Sequence, residues 1–149
     1  HLFDESGSRL LGCLGWNTSR TLNPKSAEIG FWMRTRASGL GLMTLAVRCM
    51  VVVGFERLQM ERIQCGYNAG NTASERVCAK VGFHEHRRMR LYQQQPTEET
   101  RSQGYIAEPD NILCALFHDD RPNLKWYDGV RSALTVVEAE EHSLGSPQR

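Results

Sequence analysis

The sequence lacks a long hydrophobic run and lacks an excess of charge of either sign. Its longest apolar run, residues 50–53, is far too short to span a bilayer. The 149 residues include 18 basic and 17 acidic side chains, so no overall field attracts nucleic acid. The first residues do not resemble a signal peptide. These absences predict a cytoplasmic protein that does not enter a membrane and does not have nucleic acid as its main partner.

The sequence also lacks the spacings of a metal site or of a disulfide framework. His84 and His86 would share one face of an extended strand, but no third ligand lies at a useful spacing, so we predict no metal. In the absence of any C-x-x-C pair, all but one or two of the cysteines are expected to be small core residues in a reducing compartment. These cysteines are Cys13, Cys49, Cys65, Cys78 and Cys114.

What is present is an ordinary globular composition, with 40% hydrophobic and 23% charged residues. The length predicts a single domain over residues 1–142, followed by a flexible tail over residues 143–149. The order of apolar patterns predicts one mixed α/β or α+β domain. Strands are predicted over residues 2–3, 9–16, 27–33, 62–67, 87–94 and 111–117, and helices over residues 40–53, 72–81 and 128–140.

Glycines and one capping pattern predict where the first two helices begin and end. Gly54 is expected to be the glycine that follows the first helix. Thr72 and Glu75 have the spacing of a capping box at the start of the second helix, and Gly82 is expected to end it. Residues 95–110 are polar and include two prolines, so they predict a long exposed loop.

A glycine-bearing turn, R-A-S-G-L-G at residues 36–41, lies between a predicted strand and the apolar helix. A helix N-terminus presents unpaired N–H groups and the positive end of a dipole, which suits a diphosphate. A Walker loop is excluded because Leu42 and Met43 follow Gly41, and a Rossmann fingerprint is excluded because Thr44 replaces its third glycine. These residues alone are compatible with two interpretations, a loop that binds pyrophosphate and a helix start that binds no ligand.

Three short motifs follow one another through the middle of the chain. They are AEIGFW at residues 27–32, R-x-x-G-x-G from Arg36 to Gly41, and N-x-x-S from Asn71 to Ser74 followed by KVGF. Together they resemble the GNAT superfamily of N-acetyltransferases, in particular its RimJ/RimL-like ribosomal-protein branch. The resemblance covers residues 2–117. It implies a mixed, mostly antiparallel sheet with a central splayed strand pair and flanking helices.

The resemblance also implies acetyl-CoA as the cosubstrate and a place for each of its parts. The pantetheine arm would lie between the strand that ends near Met33 and the strand over residues 62–67. Backbone amides of Trp32 and Met33 would hold the thioester, and Asn71 would bond the pantetheine arm. The turn would hold the pyrophosphate through Arg34, Arg36, Ala37, Ser38, Gly39, Leu40 and Gly41.

The implied reaction is direct attack by a primary amine, belonging to a protein N-terminus or to a small molecule. Ser74, by its match to the family's serine, would protonate the leaving thiolate and lie near the sulfur, although a first-turn serine can instead bond the backbone. Glu28 would act as the base, or alternatively as a structural carboxylate on a strand face. Related folds pair through strand edges or C-terminal segments, so a homodimer is compatible with the resemblance.

Three departures from the family pattern favour a second hypothesis. Leu45 replaces a glutamate that is common in the long helix, and Gln93 falls where RimL-like enzymes have an acidic residue implicated as the base. The family also has one strand and two helices before the point that corresponds to His1. The alternative is therefore a truncated or degenerate acyl-CoA-binding module without turnover.

Overall fold

A six-stranded mixed sheet dominates the computed structural model, which describes residues 1–18, 23–92, 97–102 and 109–136. The strand order is β1-β2-β3-β4-β6-β5, with β3 and β4 parallel and every other neighbouring pair antiparallel. The predicted fold class, a mixed and mostly antiparallel sheet with helices, is therefore confirmed. The strands are β1 (Leu2–Phe3), β2 (Leu10–Asn17), β3 (Ser26–Met33), β4 (Arg62–Asn68), β5 (His84–Met89) and β6 (Asn111–Phe117).

The helices connect these strands and bury one side of the sheet. None of the described helices is both long and apolar enough to cross a membrane. Short 3-10 turns over Thr35–Ala37 and His118–Asn123 were not predicted from the sequence. The α-helices are α1 (Leu42–Glu56), α2 (Thr72–Val81), α3 (Glu98–Ser102) and α4 (Tyr127–Ala133).

One face of the sheet, which we call the helix face, packs against α1 and α2. A Cβ atom placed on Gly54 of α1 would lie 2.7 Å from Ile63 of β4, and the Sγ atoms of Cys78 on α2 and Cys65 on β4 are 3.5 Å apart. Because side chains alternate along a strand, Gln64 must point to the opposite face, which we call the far face. The core between helices and sheet includes the fully buried Ile29, Val47, Val51, Ile63, Val81 and Leu116.

The two central strands pair at one end and separate at the other. The parallel register joins Ser26 to Arg62, Ala27 to Ile63 and Glu28 to Gln64, and no further pair follows in the described strands. Strand β3 nevertheless continues to Met33, where it stays paired with β2. Strand β4 remains paired with β6 along its whole length. The predicted splay is confirmed, and its apex is the Glu28–Gln64 pair.

The prediction that Gly54 follows the first helix was wrong. Gly54 is buried inside α1, which runs on to Glu56 and ends at Arg57 with an ordinary negative φ of −103°. A Cβ atom on Gly54 would approach Trp16 to 2.8 Å as well as Ile63. The glycine is present because the helix packs closely on the sheet at this point, and it has no role in capping.

Strand β5 also differs from its prediction, since it begins at His84 and ends at Met89 instead of covering residues 87–94. It is an edge strand whose side chains are almost all exposed, so it shows no apolar alternation. Leu91 then has a positive φ of 49°, which is incompatible with a continuing strand. The end of the predicted strand, including Gln93, lies outside the described residues.

Two further segments differ from the expectations. The predicted loop over residues 95–110 contains the short helix α3, whose first turn carries Glu98 and Glu99. The last helix ends at Ala133, not at residue 140, because Leu134 adopts an extended conformation with φ −79° and ψ 121°. Residues 137–149, and with them the predicted boundary between domain and tail, lie outside the described part of the chain.

Candidate functional site

A cavity of about 590 Å³ opens on the helix face, between the splayed end of β3 and the first turns of α1 and α2. It brings together three segments that are far apart in sequence. Seven of the predicted site residues line it, namely Trp32, Met33, Ser38, Gly39, Gly41, Asn71 and Ser74. The predicted strand, turn and helix therefore converge on one cavity.

The turn before α1 depends on two glycines in the left-handed conformation. Gly39 has φ +84° and Gly41 has φ +79°, a region that other residues rarely adopt. A Cβ atom on either glycine would meet nothing within 4 Å, so both face open space. The turn is held by Ser38, whose Oγ donates to the carbonyl of Arg34 at 3.2 Å. The backbone is therefore accessible to a bulky ligand at both glycines.

The N-terminus of α1 is open to an anion. Gly41 occupies the N-cap position and has no side chain to satisfy the N–H groups of the first turn. The first turn also carries no acidic residue that would compete with a bound anion. The 15-residue helix therefore directs free N–H groups and a positive dipole end at the cavity.

The start of α2 is capped by Asn71, and not by the predicted Thr72–Glu75 capping box. The Oδ1 atom of Asn71 accepts a hydrogen bond of 3.2 Å from the backbone N–H of Ser74. The predicted C-terminal signal is confirmed, since Gly82 ends the helix with φ +103°. Asn71 thus has a structural role that was not predicted, although N-x-x-S has the spacing of an N-cap and the third residue of the helix.

The hydroxyl of Ser74 makes no hydrogen bond to any residue that the structure describes. No bond from this hydroxyl to the backbone of its own helix is present in the described part of the chain. Ser74 is half-buried and lines the cavity together with Trp32 and Met33. Its Oγ is available to a ligand in the cavity.

Four of the predicted turn residues line a second depression of about 1020 Å³ instead. Arg34, Arg36, Ala37 and Leu40 lie there, beside residues 8–11 at the start of β2. Met33 and Leu42 line both cavities, so the turn forms the wall between them. The two arginines carry long side chains next to the glycine turn.

Two basic residues of α2 were missed by the sequence reasoning. Arg76 and Lys80 line the 590 Å³ cavity together with Ala73 and Val77. The spacing of these four residues is i, i+3, i+4 and i+7, which places them on one face of a helix. That spacing, with two cations on the face that follows N-x-x-S, was a signal in the sequence. The helix end that carries Lys80 is fixed, because Arg48 donates to the Lys80 carbonyl at 2.7 Å.

Glu28 lies apart from the cavity lining. It pairs with Gln64 at the apex of the splay, and both side chains point to the far face. The cavity and Glu28 are therefore on opposite faces of the sheet, at the point where β3 and β4 separate. A ligand group placed in the opening between β3 and β4 would therefore lie between the cavity and Glu28.

Tyr67 and three cysteines pack beneath α2 as part of the core. Cys65, Cys78 and Cys114 are buried free thiols, as predicted. A hydrogen bond with Cys78, and burial, raise the pKa of the Cys114 thiol. Burial and the neighbouring Cys114 raise the pKa of Tyr67, so its hydroxyl stays protonated. These groups are expected to be chemically inert in the folded chain.

Within the described residues, no group of three or more histidine, cysteine, aspartate or glutamate side chains is arranged to hold a metal ion. His84 and His86 are exposed on the edge strand β5. A bulge between Glu85 and Arg87 shifts the register at His86.

Comparison with known proteins agrees with this geometry. The family model of the acetyltransferase (GNAT) domain matches residues 2–84, more than half of the chain. The chain belongs to the GNAT acetyltransferase family. The match covers β1 to α2 and so includes the splayed strands, the glycine turn and the Asn71–Ser74 segment.

Individual relatives agree with the family. The chain is 34% identical over 84 residues to "Probable N-acetyltransferase YjcK" of Bacillus subtilis, covering 56% of this chain and 46% of that protein. Mycobacterium smegmatis RimJ, solved in complex with CoA-disulfide, superposes with a TM-score of 0.65 at 25% identity, covering 84% of this chain and 55% of that one. The ribosomal-protein-S5-alanine acetyltransferase of Vibrio fischeri shares the fold, with a TM-score of 0.64 at 23% identity and coverage of 78% and 59%. The chain spans about half the length of the curated relatives it matches.

Proposed function

We propose that this chain carries the donor site of an N-acetyltransferase, which transfers acetyl from acetyl-CoA to a primary amine by direct attack. One observation carries the proposal: the cavity at the splay unites an uncapped helix N-terminus, two left-handed glycines and a hydroxyl without a described partner. An elongated ligand with a diphosphate at one end and a thioester at the other has matching groups along this cavity.

The diphosphate would lie at the glycine turn. The N–H groups of the first turn of α1 point there, and a negative charge at this position is favoured by the helix dipole. Because neither Gly39 nor Gly41 has a Cβ atom, phosphate oxygens can approach their backbone. Arg34 and Arg36 would donate from beside the turn. Arg76 and Lys80, on the α2 wall, would attract further phosphate charge at the outer end of the cavity.

The pantetheine arm would follow the free edge of β3. Beyond Glu28 that edge has no pairing partner in the described part of β4, so its backbone groups from Ile29 to Met33 can bond the amides of the arm. The amides of Trp32 and Met33 would hold the thioester. Since the side chain of Asn71 already caps α2, we propose that this residue assists mainly by fixing Ser74.

In the proposed reaction, the amine nitrogen forms a bond to the acetyl carbon and the bond from that carbon to sulfur breaks. The amine loses one proton to Glu28, directly or through water, and the departing thiolate takes a proton from Ser74. Glu28 then releases its proton to solvent and Ser74 regains one from solvent, so both groups return to their starting states. The products are an acetylated amine and free CoA thiol. Glu28 suits the acceptor side because it points to the far face at the apex of the splay, opposite the donor cavity.

The test is release of free thiol from acetyl-CoA, followed colorimetrically with a panel of amines that includes N-terminal peptides and polyamines. We expect thiol release that depends on the amine and forms an acetylated product of matching amount by mass spectrometry. The second candidate, a binding module without turnover, is motivated by Leu45, which is 52% exposed on α1 at a position where the family resemblance predicts a glutamate. A chain that binds acetyl-CoA and releases no thiol with any amine would support the module and contradict the transferase.

A further inference from the structure

The bulge in β5 brings an additional basic side chain to the far face. His84 and Arg87 pair with two residues of β6 that are two positions apart and therefore share a face. One of them, Ala115, is the register partner of Gln64, so this is the far face. Three residue steps of β5 thus cover two steps of β6, and His86 is the extra residue. Without the bulge, His84 and Arg87 would point to opposite faces of the sheet.

An aromatic ring and a second guanidinium group lie on the same face. Phe117 of β6 is the register partner of Arg62, which lies two residues before Gln64, so both point to the far face. Phe117 is 42% exposed, and its ring lies 6.3 Å from the ring of His86 at an interplanar angle of 66°. The Nε atom of Arg62 is buried and has no hydrogen-bond partner among the described residues. These side chains form what we call the basic patch: Arg62, His84, His86, Arg87 and Phe117.

The basic patch contains no carboxylate, and each of its five side chains ends in a planar group. Among the described strand residues of the far face, Glu28 on β3 is the only carboxylate. Just outside the strands, Glu61 pairs with Lys25 at 2.6 Å and Asp120 accepts a backbone N–H of β6 at 2.8 Å, whereas Asp119 is exposed. The patch therefore favours an anion and offers ring and guanidinium planes to flat groups.

Protection of a sheet edge explains only part of the basic patch. Charged side chains on an edge strand discourage pairing with another chain, and this accounts for charge on β5. Arg62, however, lies on the inner strand β4, with Ser26 of β3 on one side and Phe117 of β6 on the other. An exposed phenylalanine also does nothing to protect an edge. A ligand that is both anionic and aromatic accounts for all five side chains.

We propose that the basic patch binds single-stranded nucleic acid, with bases stacked on Phe117 and His86 and phosphates held by Arg62 and Arg87. Three strands measure about 10 Å across, and the four residue steps from Phe117 to Leu113 measure about 14 Å. Sheet surfaces with exposed aromatic side chains stack two or three bases. Since every base has a π face, this binding tolerates different sequences. An acidic peptide would use the guanidinium groups but would leave the ring planes without a partner.

The nearly equal numbers of acidic and basic residues in the whole chain agree with a local site. Such a chain has no long-range attraction for nucleic acid, so binding depends on contacts within the patch. The site does not involve the donor cavity, which lies on the helix face. The proposed binding therefore needs neither acetyl-CoA nor turnover, and it can be measured separately from acetyl transfer.

The experiment is fluorescence anisotropy of the full chain with three labelled probes, between about 50 and 200 mM salt. The probes are a decamer of uridylate, a decamer of deoxythymidylate and a decapeptide of glutamate. Arg87→Gln and Phe117→Leu alter the basic patch. Arg57→Gln is the matched control, because Arg57 is exposed at the end of α1 on the helix face. Circular dichroism establishes that each variant is folded.

We expect the wild type to bind both oligonucleotides at least about tenfold more tightly than the peptide. With two phosphates neutralised, log affinity for a single strand should fall with log salt with a slope of about −1.4. Arg87→Gln should reduce that slope by about 0.7 and weaken binding about threefold or more. Phe117→Leu should weaken it about fivefold or more with the slope unchanged. Arg57→Gln should stay within about twofold of the wild type.

Tighter binding of the uridylate than of the deoxythymidylate would assign the site to RNA, and the reverse order would assign it to DNA. If Phe117→Leu does not fold, His86→Ala at an exposed position of β5 provides the same test of stacking.

Three results would overturn the inference. Peptide binding as tight as oligonucleotide binding would assign the patch to an acidic protein. Equal weakening by Arg57→Gln and Arg87→Gln would show that binding follows net charge alone. The third is unchanged anisotropy of both oligonucleotides at up to about 1 mM of folded wild-type chain. None of these results alters the prediction of thiol release, so the proposed transferase function would stand.

Discussion

The Oδ1 atom of Asn71 accepts a 3.2 Å hydrogen bond from the backbone N–H of Ser74. One side chain thereby starts α2 and fixes the position of the hydroxyl that faces the donor cavity. The N-x-x-S spacing is therefore explained by helix geometry, because an N-cap side chain reaches the N–H of the third helical residue. The same hydrogen bond therefore caps α2 and positions the Ser74 side chain at the cavity.

Replacing the cap should cost stability. Asn71→Ala removes the side-chain acceptor that caps this helix start, and we expect the free energy of unfolding to fall by about 1 kcal/mol. Asn71→Asp keeps an acceptor and places a negative charge at the helix N-terminus, so its stability should stay close to that of the wild type. Urea denaturation measures both. An aspartate variant as unstable as the alanine variant would contradict the assigned cap.

Ser74→Ala should reduce turnover without reducing donor affinity. The hydroxyl is proposed to protonate the departing thiolate, and loss of a general acid typically costs about 10²-fold or more in kcat. Its acetyl-CoA affinity should remain within about twofold, because the cap bond uses the backbone N–H and not the side chain of Ser74. Thr72→Ala, in the same helical turn, is the matched control for stability and rate. A Ser74→Ala enzyme with wild-type kcat would remove Ser74 from the mechanism.

Gly54→Ala tests the close packing of α1 on the sheet. Alanine would gain about 1 kcal/mol of helix propensity, but its Cβ atom would overlap Ile63 and Trp16, and such overpacking costs about 1–3 kcal/mol. We expect net destabilisation of about 1 kcal/mol. Gly129→Ala on α4 has open space and should instead stabilise by up to about 1 kcal/mol. Thermal or urea unfolding measures the stability of both variants. An equal gain in unfolding free energy for Gly54→Ala and Gly129→Ala would show that Gly54 is not tightly packed.

The hydroxyl of Tyr127 donates to Glu56 Oε1 at 2.9 Å and joins α4 to the end of α1. Burial, and the hydrogen bond to Glu56, raise the pKa of Tyr127 to about 12. Tyrosine in an unfolded chain has a pKa of about 10, so the fold favours the protonated hydroxyl. The resulting stabilisation is complete below pH 10 and is lost as the pH rises from about 10 to about 12.

Tyr127→Phe should therefore be less stable than the wild type at pH 8, by about 1 kcal/mol for the lost hydrogen bond. The difference in unfolding free energy should shrink between pH 10 and pH 12, because only the wild type loses this contribution. Urea denaturation over that pH range measures the difference, and Tyr92→Phe, at an exposed position, is the control. A difference that stays constant through the range would contradict the raised pKa.

Local patterns predicted those parts of the fold that local forces determine. The end of α2 followed from Gly82, whose left-handed conformation ends the helix. Its start at Thr72 was predicted from a capping box, although Asn71 is the residue that caps it. The alternation in β3 placed Glu28, Gly30 and Trp32 on one face. Gly54 was misassigned because its contacts with Trp16 and Ile63 come from distant strands. Strand β5 was shifted because an edge strand with exposed charges has no alternation, and its position depends on pairing with β6.

In the candidate site, too, some features could be predicted from the local sequence and others depend on tertiary contacts. The glycines of the turn were recognisable from the sequence because positive φ angles require that residue type. Arg76 and Lys80 were missed because their relevance depends on which face of α2 borders the cavity. The capping role of Asn71 was hidden by the competing capping box at Thr72 and Glu75, which has the same three-residue spacing one position later.

The central claim, that the glycine turn and α1 bind the acetyl-CoA diphosphate, is tested most directly by calorimetric titration of the chain with acetyl-CoA. We predict micromolar binding that is lost in Gly39→Glu and Gly41→Glu, where a carboxylate would enter the phosphate position. Gly7→Glu is the matched control, since Gly7 also has a positive φ of 71° and open space but lies in the β1–β2 turn. Loss of binding in the two turn variants, with binding retained in the control, is the predicted result. A folded wild-type chain that does not bind acetyl-CoA, or equal affinity in all variants, would contradict the claim.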